Sequence, residues 1–321
     1  MRALAGFVLA AALAAGAQAP REPLAQARAA LQAGEADKAL DLLKSLGSAG
    51  AGLAEAHNLR CRVLLTLEHW DGAAGECEEA VRLDGQNAVN HLWLGRALGE
   101  RAERASFLSA YSLAKQVRSE FEEAVRLNPK DAEALADLGE FYESAPGVVG
   151  GGIGKAEAVA GQLDKVDPAR AHELRGRIAE ERKDLDAAER EYKQAISAGA
   201  HPAFQWATMA SFFKRRQRWQ EMEAAVSSCE SAATRDKHAT VAMYLGASVL
   251  RATNRQPAQA ARMLEAYLAS PEKTEEAPAF VAHTWLARLK EQLGDPAAAR
   301  RERAAALALA HDFKPAQDLA H

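Results

Sequence analysis

His91-Leu-Trp-Leu-Gly-Arg96 is one of four copies of a six-residue pattern, the others being His57-Asn-Leu-Arg-Cys-Arg62, His172-Glu-Leu-Arg-Gly-Arg177 and His283-Thr-Trp-Leu-Ala-Arg288. Each copy holds His, any residue, Leu or Trp, Leu or Arg, a small residue, and Arg. The first two are 34 residues apart (91 less 57), which reads as a repeat period. On a helix at about 100° per residue, the His, the residue three on and the small residue fall within one arc of roughly 100°. The Leu/Trp and the Arg, three apart, share the opposite face. One face packs; the other presents an apolar side chain beside a cation. The remainder of the chain reads as a means of stacking copies of that helix.

The composition agrees. Across 321 residues, 48% hydrophobic and only 6% aromatic, Ala, Leu, Glu and Arg dominate and alternating Val/Ile/Thr runs are scarce, so an all-α chain is expected. The net charge of −4 argues against nucleic acid as a partner, whose footprint would be basic. The only long apolar run is N-terminal: Arg2, then Ala3 to Ala14, then small residues. It is too short to span a bilayer and reads as a signal peptide, residues 1–17. Cleavage after Ala17 is preferred over Ala19, because the latter leaves Pro20 just beyond the cut. The mature chain is then exported, periplasmic in a two-membrane bacterium and otherwise secreted, with no membrane span after signal removal.

Beyond the leader, turn signals divide the chain into helix pairs. The first begins near Pro23, the second near Leu53, the third at Ala88, the fourth at Asp131 and the fifth at Ala169. Trp206 and Leu245 mark the sixth and seventh, and a Pro/Glu-rich linker, Ser270 to Pro278, leads to an eighth that ends near His311. Leu135-x2-Leu138-Gly139-x2-Tyr142, followed by Ala156, Ala160 and Pro168, resembles the tetratricopeptide repeat, a 34-residue helix-turn-helix with small residues at the helix crossing. The resemblance covers roughly residues 22–312, although several pairs lack its Trp and Tyr anchors and His stands four times in the first anchor slot. It implies a right-handed α-solenoid of about eight stacked units over 18–312, with insertions near 99–110 and 145–154 and a C-terminal tail at 313–321. It also implies a concave groove, lined by first helices, that binds a protein or peptide. Family members that bind chaperones hold a terminal carboxylate with groove lysines and asparagines. The corresponding places here are Leu59, Trp93, Leu174 and Trp285 with Arg beside them, and the Asn set is missing, so that mode is not expected.

Catalytic and cofactor signatures are absent from the motifs. Gly150-Gly-Gly-Ile-Gly-Lys155 imitates a phosphate-binding loop, but Val149 replaces its first Gly, Ala156 replaces the Mg-binding Ser/Thr, and it follows a helix. The nine histidines include no metal-binding spacing; the four patterned ones read as half-buried packing residues with no carboxylate in register. No enzyme, metal site or cofactor is expected; the alternative is a small-ligand binder or enzyme that uses the groove as a pocket. Cys61 sits at the crossing slot of one helix and Cys77 on the helix packed against it. Either they form a disulfide, or they and Cys229 are all small core residues.

The candidate partner site is the ladder Arg62, Trp93, Arg96, Arg177, Trp285 and Arg288, with Arg28 in the equivalent slot of the first pair. Exposed Trp beside Arg is typical of binding hot spots, and such a groove suits an extended partner with carboxylates and apolar side chains. The competing reading pairs these arginines with neighbouring carboxylates such as Glu55 and Glu173, and Glu140 interrupts the ladder in the fourth pair. Finally, roughly ten extra residues lengthen the second helix of the third pair by roughly 15 Å. The loop Pro146 to Gly154, five of whose last eight residues are Gly, is expected to lie on that helix. Val148, Val149 and Ile153 would cover Phe107, Leu108 and Tyr111 to form a lip of the groove.

Overall fold

A computed structural model describes residues 21–46 and 52–319; the stretch expected to be a signal peptide, residues 1–17, lies outside the described residues. Within them every regular element is helical. The first half runs Arg21–Ala33 and Ala36–Ser45 (α1, α2), Leu53–Thr66 and Trp70–Leu83 (α3, α4), Ala88–Arg104 and Phe107–Leu127 (α5, α6), then Ala132–Ser144 and Ile153–Leu163 (α7, α8). The second half runs Pro168–Glu181 and Leu185–Ala198 (α9, α10), Pro202–Arg215 and Trp219–Arg235 (α11, α12), then Val241–Ala252 and Pro257–Ala269 (α13, α14). Ala279–Gln292 and Pro296–Leu309 (α15, α16) and the short Lys314–Gln317 (α17) complete it. Each helix packs on its pair-mate and on the next pair, so the architecture is an all-α solenoid.

Sequence chemistry sets the helix starts. Asn87, Asp131, Asp167, Asp184 and Asp295 each accept first-turn backbone N–H groups through their side chains, at about 1 kcal/mol apiece. Pro168, Pro202, Pro257 and Pro296 stand in the first turn, where a missing N–H costs nothing. The small slot of the repeated pattern is where the two helices of a pair cross. A Cβ added to Gly176 would stand 2.8 Å from the Tyr192 ring, and one on Gly95 would stand 2.5 Å from the Phe121 ring. In the second pair the same contact is covalent: Cys61 is bonded to Cys77, with Cα atoms 5.3 Å apart. Cys229 is unbridged and buried, donating to the Ala242 carbonyl.

The insertions behave differently from each other. Helix α5 has 17 residues against 14 for α3, and α6 has 21 against 14 for α4, so the extra residues lengthen both helices and the chain breaks between them at Ala105 and Ser106, instead of extending the second helix alone as expected. The expected lip, however, does not form. Phe107 and Leu108, in the first turn of α6, are 86% and 81% exposed, and Val148 is 73% exposed. Only Val149 is buried, on a 3-10 turn that packs farther along α6, where Arg118 donates to its carbonyl. The reason is local. The Gly152 N–H caps the Tyr142 carbonyl at 2.7 Å, and Gly150 and Gly151 pass so close to Arg118 and Ala145 that no Cβ would fit. The loop is thus folded back on the end of α7 and does not reach the α6 tip.

The last pair meets the first. Gly34, in the α1–α2 turn with φ +75°, lies against the start of α15 so tightly that a Cβ would be 2.4 Å from the Ala279 nitrogen. Beside it, Asp37 accepts from the His311 backbone N–H at 2.9 Å and pairs with the His311 ring at 2.8 Å. The expected C-terminal tail is packed as far as it is described. Phe313 is 1% exposed, its ring edge-on to Phe280 at 4.8 Å, in one apolar cluster with Leu24 and Leu31 of α1. Full burial of such a side chain contributes about 1.5–3 kcal/mol. The solenoid therefore closes on itself.

Candidate partner site on the inner face

First helices line the inside of this closed array. A cavity of about 470 Å³ is walled by Arg62 of α3, Trp93 of α5, Glu133 of α7, Arg170 of α9 and, from across the opening, Glu275. Glu275 belongs to the segment that joins α14 to α15. It is 8% exposed, and Arg62 grips it with both ends of the guanidinium, Nε donating to Oε2 at 2.8 Å and Nη2 donating to Oε1. Burial pushes the Glu275 carboxyl above the usual carboxylate range, against the pull of Arg62. The segment is pinned on its other side by the Tyr267 hydroxyl, which donates to the Ala277 carbonyl, and by Lys273, which caps the last carbonyls of α14.

The predicted residues occupy this face, but not as a ladder of free cations beside exposed tryptophans. Arg96 donates to Asp137 at 2.6 Å and Glu133 at 3.2 Å. Arg177 pairs with Glu140 at 2.5 Å and Glu143 at 3.3 Å, and Arg28 with Glu55. Of the carboxylates proposed as neutralisers, Glu55 does so; Glu173 instead accepts from the Thr208 hydroxyl at 3.4 Å, and burial holds its carboxyl above the usual range. Glu140 does not interrupt the ladder but supplies the Arg177 counter-ion. The tryptophans are half-buried because cations cover them. The guanidinium carbons of Arg62 and Arg96 lie 4.9 and 4.5 Å from the Trp93 ring centre. Trp285 stacks on Tyr244 at 4.5 Å and carries Arg251 at 4.2 Å. Among the described residues, Arg288 donates only to the Pro315 carbonyl, at 3.3 Å.

Among the described residues no group of three or more His, Cys, Asp or Glu side chains gathers to hold a metal. Burial pushes the Cys229 thiol up to about 12, far from a usable thiolate. The imitation phosphate loop turns inward on itself, with Lys155 donating to the Gly150 carbonyl at 2.8 Å. No helix among the described residues is long and apolar enough to cross a membrane.

No family model matches the chain, and no curated protein does. Among solved structures, a thermophilic TPR protein of Thermus thermophilus superimposes with a TM-score of 0.50 at 20% identity, over 60% of this chain and 98% of that one. The fold is that of the tetratricopeptide-repeat proteins. A tetratricopeptide repeat protein of Parabacteroides merdae is similar over 85% of this chain and 99% of its own, with a TM-score of 0.47 and 14% identity. The Cut9–Hcn1 hetero-tetramer of the APC/C is similar over 94% of this chain and 55% of that one, with a TM-score of 0.41 and 11% identity.

Within this tetratricopeptide solenoid the four patterned histidines have a role that the motif alone hid. Each ring Nδ1 is paired with a glutamate on the second helix of its own unit: His57 with Glu76 at 2.6 Å, His91 with Glu120 at 2.6 Å, His172 with Glu191 at 2.7 Å and His283 with Glu302 at 2.6 Å. The expectation of no carboxylate in register is thus corrected. The partner follows by 19 residues in three units and by 29 in the third. That difference of ten is the insertion shared between α5 and α6, which shifts the number but not the geometry.

Proposed function

We propose that this chain is an extracytoplasmic, non-enzymatic tetratricopeptide scaffold that holds an acidic segment of a protein partner against its inner face. One observation carries the reading: the Arg62–Trp93 rung already grips a carboxylate, Glu275, on a non-helical segment of the chain itself. The inner face therefore has the chemistry to hold an extended acidic peptide, with bidentate guanidinium–carboxylate bonds of about 1.5–3 kcal/mol each. Export is supported by the N-terminal sequence pattern and by the Cys61–Cys77 bridge, since such bridges persist in oxidising compartments. The test is crosslinked capture by the tagged mature protein from its own cell envelope, with Trp93→Ala/Arg96→Ala alongside. A defined partner that is retained by the parent and lost by the double variant, with the variant's helical signal intact, supports the scaffold. Failure of the parent to retain any partner, or capture untouched by the double variant, rejects it.

A further inference from the structure

The rung at Trp93 has a counterpart at Trp285, and the two differ in one respect. In both, a tryptophan of a first helix lies beside an arginine from the preceding unit and is followed three residues on by another arginine: Arg62, Trp93, Arg96 in one, Arg251, Trp285, Arg288 in the other. In the first rung each guanidinium has its carboxylate, Glu275 on Arg62, Asp137 and Glu133 on Arg96. In the second, among the described residues, neither arginine has an ion pair. Arg251 Nε is buried without any hydrogen-bond partner, and Arg288 reaches only the Pro315 carbonyl. Loss of hydration depresses the Arg251 guanidinium most, and the nearby charge of Arg288 adds to it. Glu68, an exposed residue of the α3–α4 turn, is close enough to act on Tyr244 but forms no ion pair among the described residues.

We propose that Arg251, Trp285 and Arg288 form a second rung that holds an aspartate or glutamate side chain of a partner, as the first rung holds Glu275. A half-buried cation without a counter-ion is costly; an incoming carboxylate relieves that cost for Arg251, and the exposed Arg288 adds a second donor. The Trp285 ring, stacked on Tyr244 and covered by Arg251, holds that guanidinium in place for the incoming carboxylate. This proposal rests on the scaffold reading and names the chemical group that the scaffold takes at this place.

The experiment is fluorescence anisotropy at low salt on the mature protein, with three labelled nine-residue peptides. One alternates Ala and Glu and is blocked at both ends; one has Gln in place of Glu; one is the Gln peptide with a free C-terminal carboxylate. The Glu peptide is expected to bind, and Arg251→Gln/Arg288→Gln to weaken it at least tenfold, while Arg126→Gln on an exposed helix surface leaves it unchanged. The Glu peptide is also expected to alter tryptophan emission in the parent, and that change to vanish in Trp285→Phe, a readout that does not depend on the double variant folding. Absence of Glu-peptide binding, binding indifferent to the double variant, or unchanged Trp285 emission overturns the proposal. So does equal binding of the free-terminus Gln peptide, which assigns the rung to chain ends. Envelope capture that persists in the double variant rejects this rung and leaves the scaffold reading standing.

Discussion

Glu180 is the residue on which the middle of the array turns. It is 8% exposed and accepts from the Tyr192 hydroxyl at 2.7 Å, from Arg215 at 2.5 Å and from Arg216 at 2.7 Å. Burial alone would raise its carboxyl, but those three donors together hold it below the usual range. Glu180→Gln keeps the shape and removes the charge. It is expected to cost about 1.5–3 kcal/mol at pH 7, tempered by the partial exposure of both arginines. Because the folded value is lowered, that contribution is fully present above the unfolded glutamate value of about 4.3. It is lost as the pH falls through the lower folded value. Urea midpoints of parent and variant should therefore converge on acidification; a gap that stays constant down to acid unfolding would refute the assignment. Nothing in the sequence singles out Glu180 among its neighbours Glu173 and Glu181. Its role arises from the next unit supplying two adjacent arginines, a relation the repeat period permits but does not announce. The histidine partners were closer to legible, since Glu76, Glu191 and Glu302 stand at a fixed interval after their histidines.

At the scale of elements, the helix pairs were readable because the small slot recurs at each crossing, and its physics is testable in both directions. Gly176→Ala drives a methyl group into Tyr192, which is 1% exposed and tied to Glu180, so it cannot swing aside. We expect a loss of about 1–3 kcal/mol from overpacking. Gly75, inside α4, has nothing within 4 Å of an added Cβ, so Gly75→Ala should gain about 0.5–1 kcal/mol from backbone entropy. If thermal melts show the two substitutions acting alike, the crossing slot is not what sets the packing. Where the crossing is the Cys61–Cys77 bridge, reduction is expected to remove about 3 kcal/mol for a loop of this size. Cys61→Ser/Cys77→Ser should then melt like the reduced parent and no longer respond to reductant. The Gly-rich loop misled the sequence reading for an identifiable reason. Its apolar residues matched the α6 tip in character, but the free carbonyls at the end of α7 are nearer and make stronger claims on its backbone.

The closure of the whole molecule was not written in any motif. It depends on how a small rotation per unit accumulates over eight pairs, and on single contacts such as Gly34 against Ala279, whose meaning is visible only in three dimensions. Gly34→Ala combines a positive φ with a backbone atom that cannot yield. It is expected to loosen the junction without melting the middle. Hydrogen exchange followed by mass spectrometry should then show faster exchange in α2 and α15 while α9 and α10 keep their protection; uniform protection throughout would show that the junction is incidental.

An open stack of repeats has two outermost units that each lack a neighbour, and order in such arrays is lost from those ends inward. Here the outermost units are neighbours of each other, through the apolar cluster that joins Phe280 and Phe313 to Leu24 and Leu31 and through the Asp37–His311 pair. Fraying has no place to begin. Prising out any one unit breaks an interface on both of its sides, so gradual unzipping gives way to a single concerted step. Denaturation curves read from Trp70, Trp206 or Trp285 would then overlay.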